Sequence, residues 1–285
     1  MLIRPIAIFV LALIGAMPAL PGEDALPIDS STRALVVHKV ADLMKEHYVF
    51  PESGKSMAAY DNYVETVPFC KQVTTDLRSI SHDKHLYVFH SPEEAREVAV
   101  AKGLLSPEET AAVLGEQHWR ESEEIFGFVR LEVLDGNIGY LRLDSFSAEP
   151  RAWQRATAAM MFLATTRAII IDLRWNGGGG GEVLPLLASH FFEGDPVPLT
   201  GVVYRSGFKR EESWTVPSSS ASQPREGAHP IDVFIVEGDI LTQIAIGKSI
   251  NPIAKSNWEG DGVQPDVAVP ADQALESALK LARKE

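Results

Sequence analysis

Ala168-Ile169-Ile170-Ile171-Asp172-Leu173-Arg174-Trp175-Asn176-Gly177-Gly178-Gly179-Gly180-Gly181-Glu182-Val183-Leu184-Pro185 is the stretch whose reading decides the fold. Its opening apolar run, with three consecutive β-branched isoleucines, predicts a strand covered on both faces. Five glycines follow Asn176, and an apolar run with helical spacing extends from Val183 to Phe192. Strand, glycine loop and helix together leave backbone N–H groups unpaired at a helix start. Such groups can cradle a phosphate or stabilise an oxyanion, and a plain flexible turn uses the same residues. A P-loop is excluded, since no Gly-Lys-Ser/Thr follows, and the G-x-G-x-x-G spacing from Gly177 fails at Glu182.

Outward from this stretch, the second half alternates strand and helix. Val129–Leu134 and Ile138–Leu143 flank Asp135-Gly136-Asn137, which is a hairpin signal. Arg151–Thr165 is a predicted helix, and Leu199–Tyr204 and Glu211–Val216 are predicted paired strands. Asp232–Val236 and Leu241–Ile246 form a second hairpin, Val263–Val269 a last short strand and Ala271–Arg283 a terminal helix. This order implies crossover units and a largely parallel sheet. The first 120 or so residues instead read as mainly helical: Leu35–His47, Met57–Val67, Phe69–Ile80, Pro92–Lys102 and Pro107–Glu121, with a short strand at Leu86–Phe89.

At 285 residues the chain has room for one large domain or two small ones. A net charge of −13 with no basic cluster argues against nucleic acid as a partner. The single cysteine, Cys70, excludes an intrachain disulfide and a cysteine-rich metal site, and reads as a small apolar group beside Phe69. Met1–Gly22 has the form of a secretory signal: Arg4, an apolar core at Ile6–Ile14, then Gly15, Ala16 and Ala19 before Glu23-Asp24. The core is too short to span a bilayer, and an N-terminal membrane anchor is the alternative. The chain is therefore expected to be secreted or periplasmic.

His82, Asp83 and His85 pair imidazole with carboxylate, which suits acid–base chemistry or metal binding, but lack the spacing of a metal site and locally read as a polar loop. Asn257–Asp266 is turn-rich with Trp258 as an anchor, and alone reads as a structural loop.

Four segments occur together in order: Ser81-His82-Asp83-Lys84-His85-Leu86; Gly136-Asn137-Ile138-Gly139-Tyr140-Leu141; Asp172-Leu173-Arg174-x-Asn176-Gly177-Gly178-Gly179; and Trp258-Glu259-Gly260-x-Gly262-Val263-x-Pro265-Asp266. From about Leu35 onward the chain resembles the S41 peptidases, the tail-specific or C-terminal processing proteases, and within them the branch of interphotoreceptor retinoid-binding protein. The resemblance implies an α/β fold: a ClpP/crotonase-like core of β-β-α units over 126–285 and an N-terminal helical subdomain over 31–122. Ser91–Phe128 is too short for the PDZ domain that many relatives carry there. It also implies serine-type hydrolysis of polypeptides without cofactor or metal. By position, His85 corresponds to the general base of tricorn-like relatives, Glu259 to the acidic residue completing the relay, and Gly177, Gly178 and Gly179 to the loop that lends an oxyanion-hole N–H.

One segment departs from that pattern. The branch carries its nucleophilic serine in a T-S-x-x-T-F-S-A-A-E-E segment after a W-T-x-P strand. Here Trp214-Thr215-Val216-Pro217 runs through a serine-rich linker straight to Gly227-Ala228-His229-Pro230. At usual element lengths roughly 40 residues are missing between 217 and 227. Ser218, Ser219, Ser220 and Ser222 lie in a polar loop with no strand-to-helix turn to fix an Oγ. The nucleophile is thus expected to be absent. Loss of a strand and helix implies a shortened sheet, a homo-oligomer covering the gap, or a truncated, poorly folded product. The retinoid-binding relative raises a second function, carriage of an apolar small ligand, for which Trp153, Met160, Met161 and Phe162 are candidate lining residues.

Overall fold

The computed structural model describes residues 8–12, 26–49, 60–179, 183–204, 210–215, 231–251 and 265–284. At its centre is β5 (Ala168–Leu173), whose residues Ala168–Asp172 are all buried. β4 (Ile138–Leu143) pairs with it in parallel, and β3 (Phe128–Leu134) pairs antiparallel with β4. On the other edge of β5 lies β1, the backbone of Ile8–Ala12, also parallel; the rest of Met1–Gly22 is outside the described residues. The sheet order is β1-β5-β4-β3.

Alternation along the strands sends side chains to two cores. Leu141, Leu143, Ile169 and Ile171 pack against α5 (Pro150–Leu163) and α6 (Val183–Ser189) through Ala152, Ala156, Met160, Leu163 and Leu186. Ile138, Tyr140, Ala168 and Ile170 face the other way, onto α7 (Ala274–Ala282) through Ala278 and Ala282. The expected β3–β4 hairpin is present. Gly136 and Asn137, with φ of 89° and 59°, are consecutive left-handed residues, the conformation that suits strand twist in a tight hairpin.

The helical part comprises α1 (Ser30–His47), α2 (Thr66–Ser81), β2 (Tyr87–His90), α3 (Pro92–Ala101) and α4 (Pro107–Glu123). Ser91 and Ser106 cap α3 and α4, and Ser106 forms a capping box with Glu109. The core of this part is completed from far along the chain. β8 (Ile231–Glu237) and β9 (Ile240–Ala245) join β2 in an antiparallel sheet, and Val236, Ile240 and Ile244 pack with Val36, Val40, Phe69 and Leu86. The hairpin expected at 232–246 therefore belongs to the helical body. Cys70 is buried there beside Phe69, and burial pushes its thiol up to about 12.

A third sheet, β10-β6-β7, is antiparallel and contains β6 (Pro198–Tyr204), β7 (Arg210–Trp214) and β10 (Gly247–Ile250). Among the described strands parallel pairing is thus confined to β5 with its two neighbours, because the strand after α6 joins a different sheet. Two other expectations fail. Tyr60–Glu65 is not helical, and α2 starts only at Thr66; Met57–Ala59 lie outside the described residues. Pro265–Pro270 holds no strand: its two prolines lack the N–H a ladder needs, and the segment leads through a 3-10 turn at Ala271–Gln273 into α7.

Candidate active site

The glycine loop is anchored before it begins. Asp172, fully buried at the end of β5, accepts hydrogen bonds from Tyr140 Oη (2.7 Å), Arg174 Nε (2.9 Å) and Arg174 Nη2 (2.8 Å). Burial pushes the Asp172 carboxyl up, but the bonds from Arg174 and Tyr140 outweigh it and hold the carboxyl below the usual range. Burial and the same carboxylate raise Tyr140 to about 12. Arg174 also reaches the Ala271 carbonyl (3.2 Å), tying the end of β5 to the entry of α7. Trp175 carries the guanidinium carbons of Arg142 and Arg174 at 4.0 and 4.5 Å from its ring centroid, and Arg142 is held by both oxygens of Asp144.

Asn176 then fixes the turn. Its Nδ2 donates to the Leu143 carbonyl (2.9 Å), and its Oδ1 accepts from the Gly178 amide (2.8 Å). The Gly177 amide donates to the Asp144 carbonyl (2.9 Å), and the Gly178 carbonyl accepts from Phe146 N (2.8 Å). Gly178 and Gly179 have φ of 96° and 117°, and a Cβ on Gly179 would collide with the Phe146 carbonyl. Only glycine fits at 179. Of the three expected oxyanion-side amides, those of Gly177 and Gly178 are therefore committed inside the loop. Among the described hydrogen bonds none uses the Gly179 amide. Asn176, Asp144 and Phe146 were not singled out from the sequence; Asn176 stands inside the quoted motif, but nothing local marks the β4–α5 connection as the surface that braces it.

His85 stands on the other body, at the entry to β2. Its Nδ1 is 3.1 Å from Asp83 Oδ1, and its own backbone N donates to that oxygen (2.8 Å). Asp83 is buried and takes a further bond from Tyr48 Oη (3.1 Å). Burial pushes the Asp83 carboxyl up, while His85 and Tyr48 pull it further down, leaving it below the usual range. A carboxylate at Nδ1 favours the tautomer that can take a proton at Nε2, which is the arrangement of a general base. His82 serves the fold instead, since its left-handed backbone (φ 57°) ends α2 by donating to the Arg78 carbonyl (2.8 Å). Among the described residues no hydrogen bond or ion pair links His85 to the glycine loop, and none gathers three His, Cys, Asp or Glu side chains into a metal-ligating group.

Glu259, the serines at 218–222 and the shortened segment 217–227 lie outside the described residues. A serine not foreseen from the sequence, Ser147, follows Phe146; its hydroxyl donates to Glu121 and accepts from Glu149 N. The residues proposed to line an apolar pocket do not converge. Met160 turns into the core with Trp153 packed beside that core, while Met161 and Phe162 face outward.

Residues 137–224 match the family model of peptidase family S41. The matched stretch holds β4, α5, β5, the glycine loop and β6–β7, but neither His85 nor Glu259. A provisionally named peptidase of Parabacteroides merdae ATCC 43184 is 13% identical, with a TM-score of 0.52 over 88% of this chain and 96% of that one. A lipoprotein of Streptococcus agalactiae is 11% identical, with a TM-score of 0.48 over 93% and 99% of the two chains. The photosystem II D1 C-terminal processing protease is 13% identical, with a TM-score of 0.43 over 90% and 98%. The first of these likenesses is one of fold: a mixed α/β chain with a helical part and small sheets.

Proposed function

We propose that this chain is an S41-type peptidase homologue that engages exported polypeptides and is impaired in hydrolysis, because the segment that should carry the nucleophile is absent. The observation behind this reading is the direct passage from Trp214-Thr215-Val216-Pro217 through a serine-rich linker to Gly227-Ala228-His229-Pro230. In acyl transfer by a serine enzyme, a base takes the hydroxyl proton and preorganised N–H groups receive the developing oxyanion. Asp83–His85 suits the first role and the Gly179 amide the second; Glu259 is assigned by resemblance to the relay. The attacking hydroxyl must be held to within about 0.5 Å of its productive position. A polar linker offers no such support. Export rests on the signal-like Met1–Gly22; that segment contains β1, so its removal would uncover the β5 edge that the full chain keeps paired.

The test is labelling of the full chain by a serine-directed fluorophosphonate, beside an active S41 protease as control. No labelling is expected. Labelling abolished by replacing one serine, together with cleavage of an unfolded polypeptide lost in the same variant, overturns the reading. Ser147→Ala and single replacements at Ser218, Ser219, Ser220 and Ser222 would identify that serine.

A further inference from the structure

The central sheet has two edges. On one, β1 covers β5; on the other, β3 pairs only with β4 among the described residues. An open edge strand presents unpaired N–H and C=O groups, and proteins commonly guard it with lysines, prolines or inward charges. β3 reads Phe128-Val129-Arg130-Leu131-Glu132-Val133-Leu134 and carries no such guard on one face. Leu131 lies opposite Leu141, and Leu141 is buried in the core under α5, yet Val129, Leu131 and Val133 are 49%, 40% and 46% exposed. Leu131 and Val133 thus stand exposed beside α5 on an edge that no described strand covers, with Val129 next to them at the register shift.

We infer that β3 is a two-fold contact between two copies of this chain, paired antiparallel about Leu131. In that register Leu131 of one copy meets Leu131 of the other. Arg130 of each copy opposes Glu132 of its mate, giving two complementary charge pairs on the opposite face. The neighbouring registers that keep side chains on their proper faces centre on Arg130 or on Glu132. Each sets like charges directly opposite, which is destabilising across strands. Only the Leu131-centred register satisfies charge and apolar surface together. Within one copy Arg130 and Glu132 already pair along the strand at 2.5 Å, so the association adds a partner to each.

The contact is short. The β3–β4 register shifts between Phe128 and Arg130, making Val129 an extra residue and Arg130–Leu134 the regular part of the edge. The association is therefore concentration-dependent. It also closes on itself: each copy uses its open edge on the other, so no filament grows.

The experiment is sedimentation velocity of the full chain, from about 1 to about 200 µM, a range that brackets weak self-association. The wild type is expected to shift from monomer to dimer with rising concentration. Arg130→Glu leaves two acidic groups opposite two acidic groups, and Glu132→Arg leaves basic opposite basic; each is expected to remain monomeric across the range. An equimolar mixture of the two variants restores complementary pairs and is expected to form a heterodimer. Far-UV circular dichroism checks folding. Glu132→Arg also leaves Arg130 in place over the Tyr140 ring, so misfolding from loss of that contact cannot explain both variants. A wild type monomeric throughout, a dimer indifferent to the charge changes, or monomeric variants that fail to associate on mixing each overturns the inference.

Discussion

Asp172 and Asp83 sit on different bodies of this protein, in nearly the same arrangement. Each carboxylate is buried, and each receives a tyrosine hydroxyl at Oδ2, from Tyr140 and Tyr48 respectively. Each takes at Oδ1 both the backbone N–H and a side-chain nitrogen of the residue two positions on, Arg174 in one case and His85 in the other. The difference is the partner. The Arg174 side chain is 12% exposed and permanently charged; the His85 side chain is 51% exposed and titratable. One turn is a clamp that braces the root of the glycine loop. The other holds an imidazole at the surface with its orientation fixed, which is what a proton acceptor requires.

The largest effect that could break this comparison is at the clamp. Asp172→Ala strands Arg174 and Tyr140 and is expected to cost about 3–5 kcal/mol, read by urea denaturation. A cost under about 1 kcal/mol would show that the clamp is not structural. Next is the loop it braces. Gly179→Ala is expected to cost about 1–3 kcal/mol, since its φ is positive and the Phe146 carbonyl must move. Gly178→Ala has positive φ but open space and should cost less, and Gly177→Ala, with neither constraint, least of the three. Equal effects along the series would contradict the bracing by the β4–α5 connection.

At the second turn, Asp83→Ala leaves the Tyr48 hydroxyl and His85 without their acceptor and should cost about 1–3 kcal/mol. His85→Gln is expected to change stability by less than about 1 kcal/mol, because its ring is half in solvent. If His85→Gln proved as costly as Asp83→Ala, the imidazole would be a structural element too. Acid should report on both turns. Both carboxyls sit lower in the folded chain than their ordinary values. Their contribution is therefore present above the unfolded carboxylate pKa of about 4 and is lost as pH falls through the folded values. Asp172→Asn should flatten the fall in stability below about pH 4 more than Asp83→Asn does, in denaturation curves collected across that range.

Much of this could be read in the chain itself. The isoleucine run marked β5, the Asp-Gly-Asn signal marked the β3–β4 hairpin, and a proline followed by acidic residues marked the starts of α3 and α4, because each rests on local periodicity, turn chemistry or helix-start preference. The glycine motif marked its loop for the same reason. Three features could not be read that way. Nothing near 231–245 announces that β8 and β9 will complete the core of the helical body, since strand pairing depends on which edges other segments leave open. The commitment of the Gly177 amide depends on Asp144 meeting it across the sheet end, while Asn176 takes the Gly178 amide from within the loop. The burial of Asp83 depends on Tyr48, 35 residues earlier in the chain.

The sequence alone thus determined which backbone could be strand, loop or helix, and where a glycine had to stand, since those preferences belong to a residue and its nearest neighbours. The tertiary structure decided which of two similar carboxylates became a clamp on a buried guanidinium and which came to hold a half-exposed imidazole. That choice turns on burial and on partners brought from distant segments, and only the packed chain supplies them.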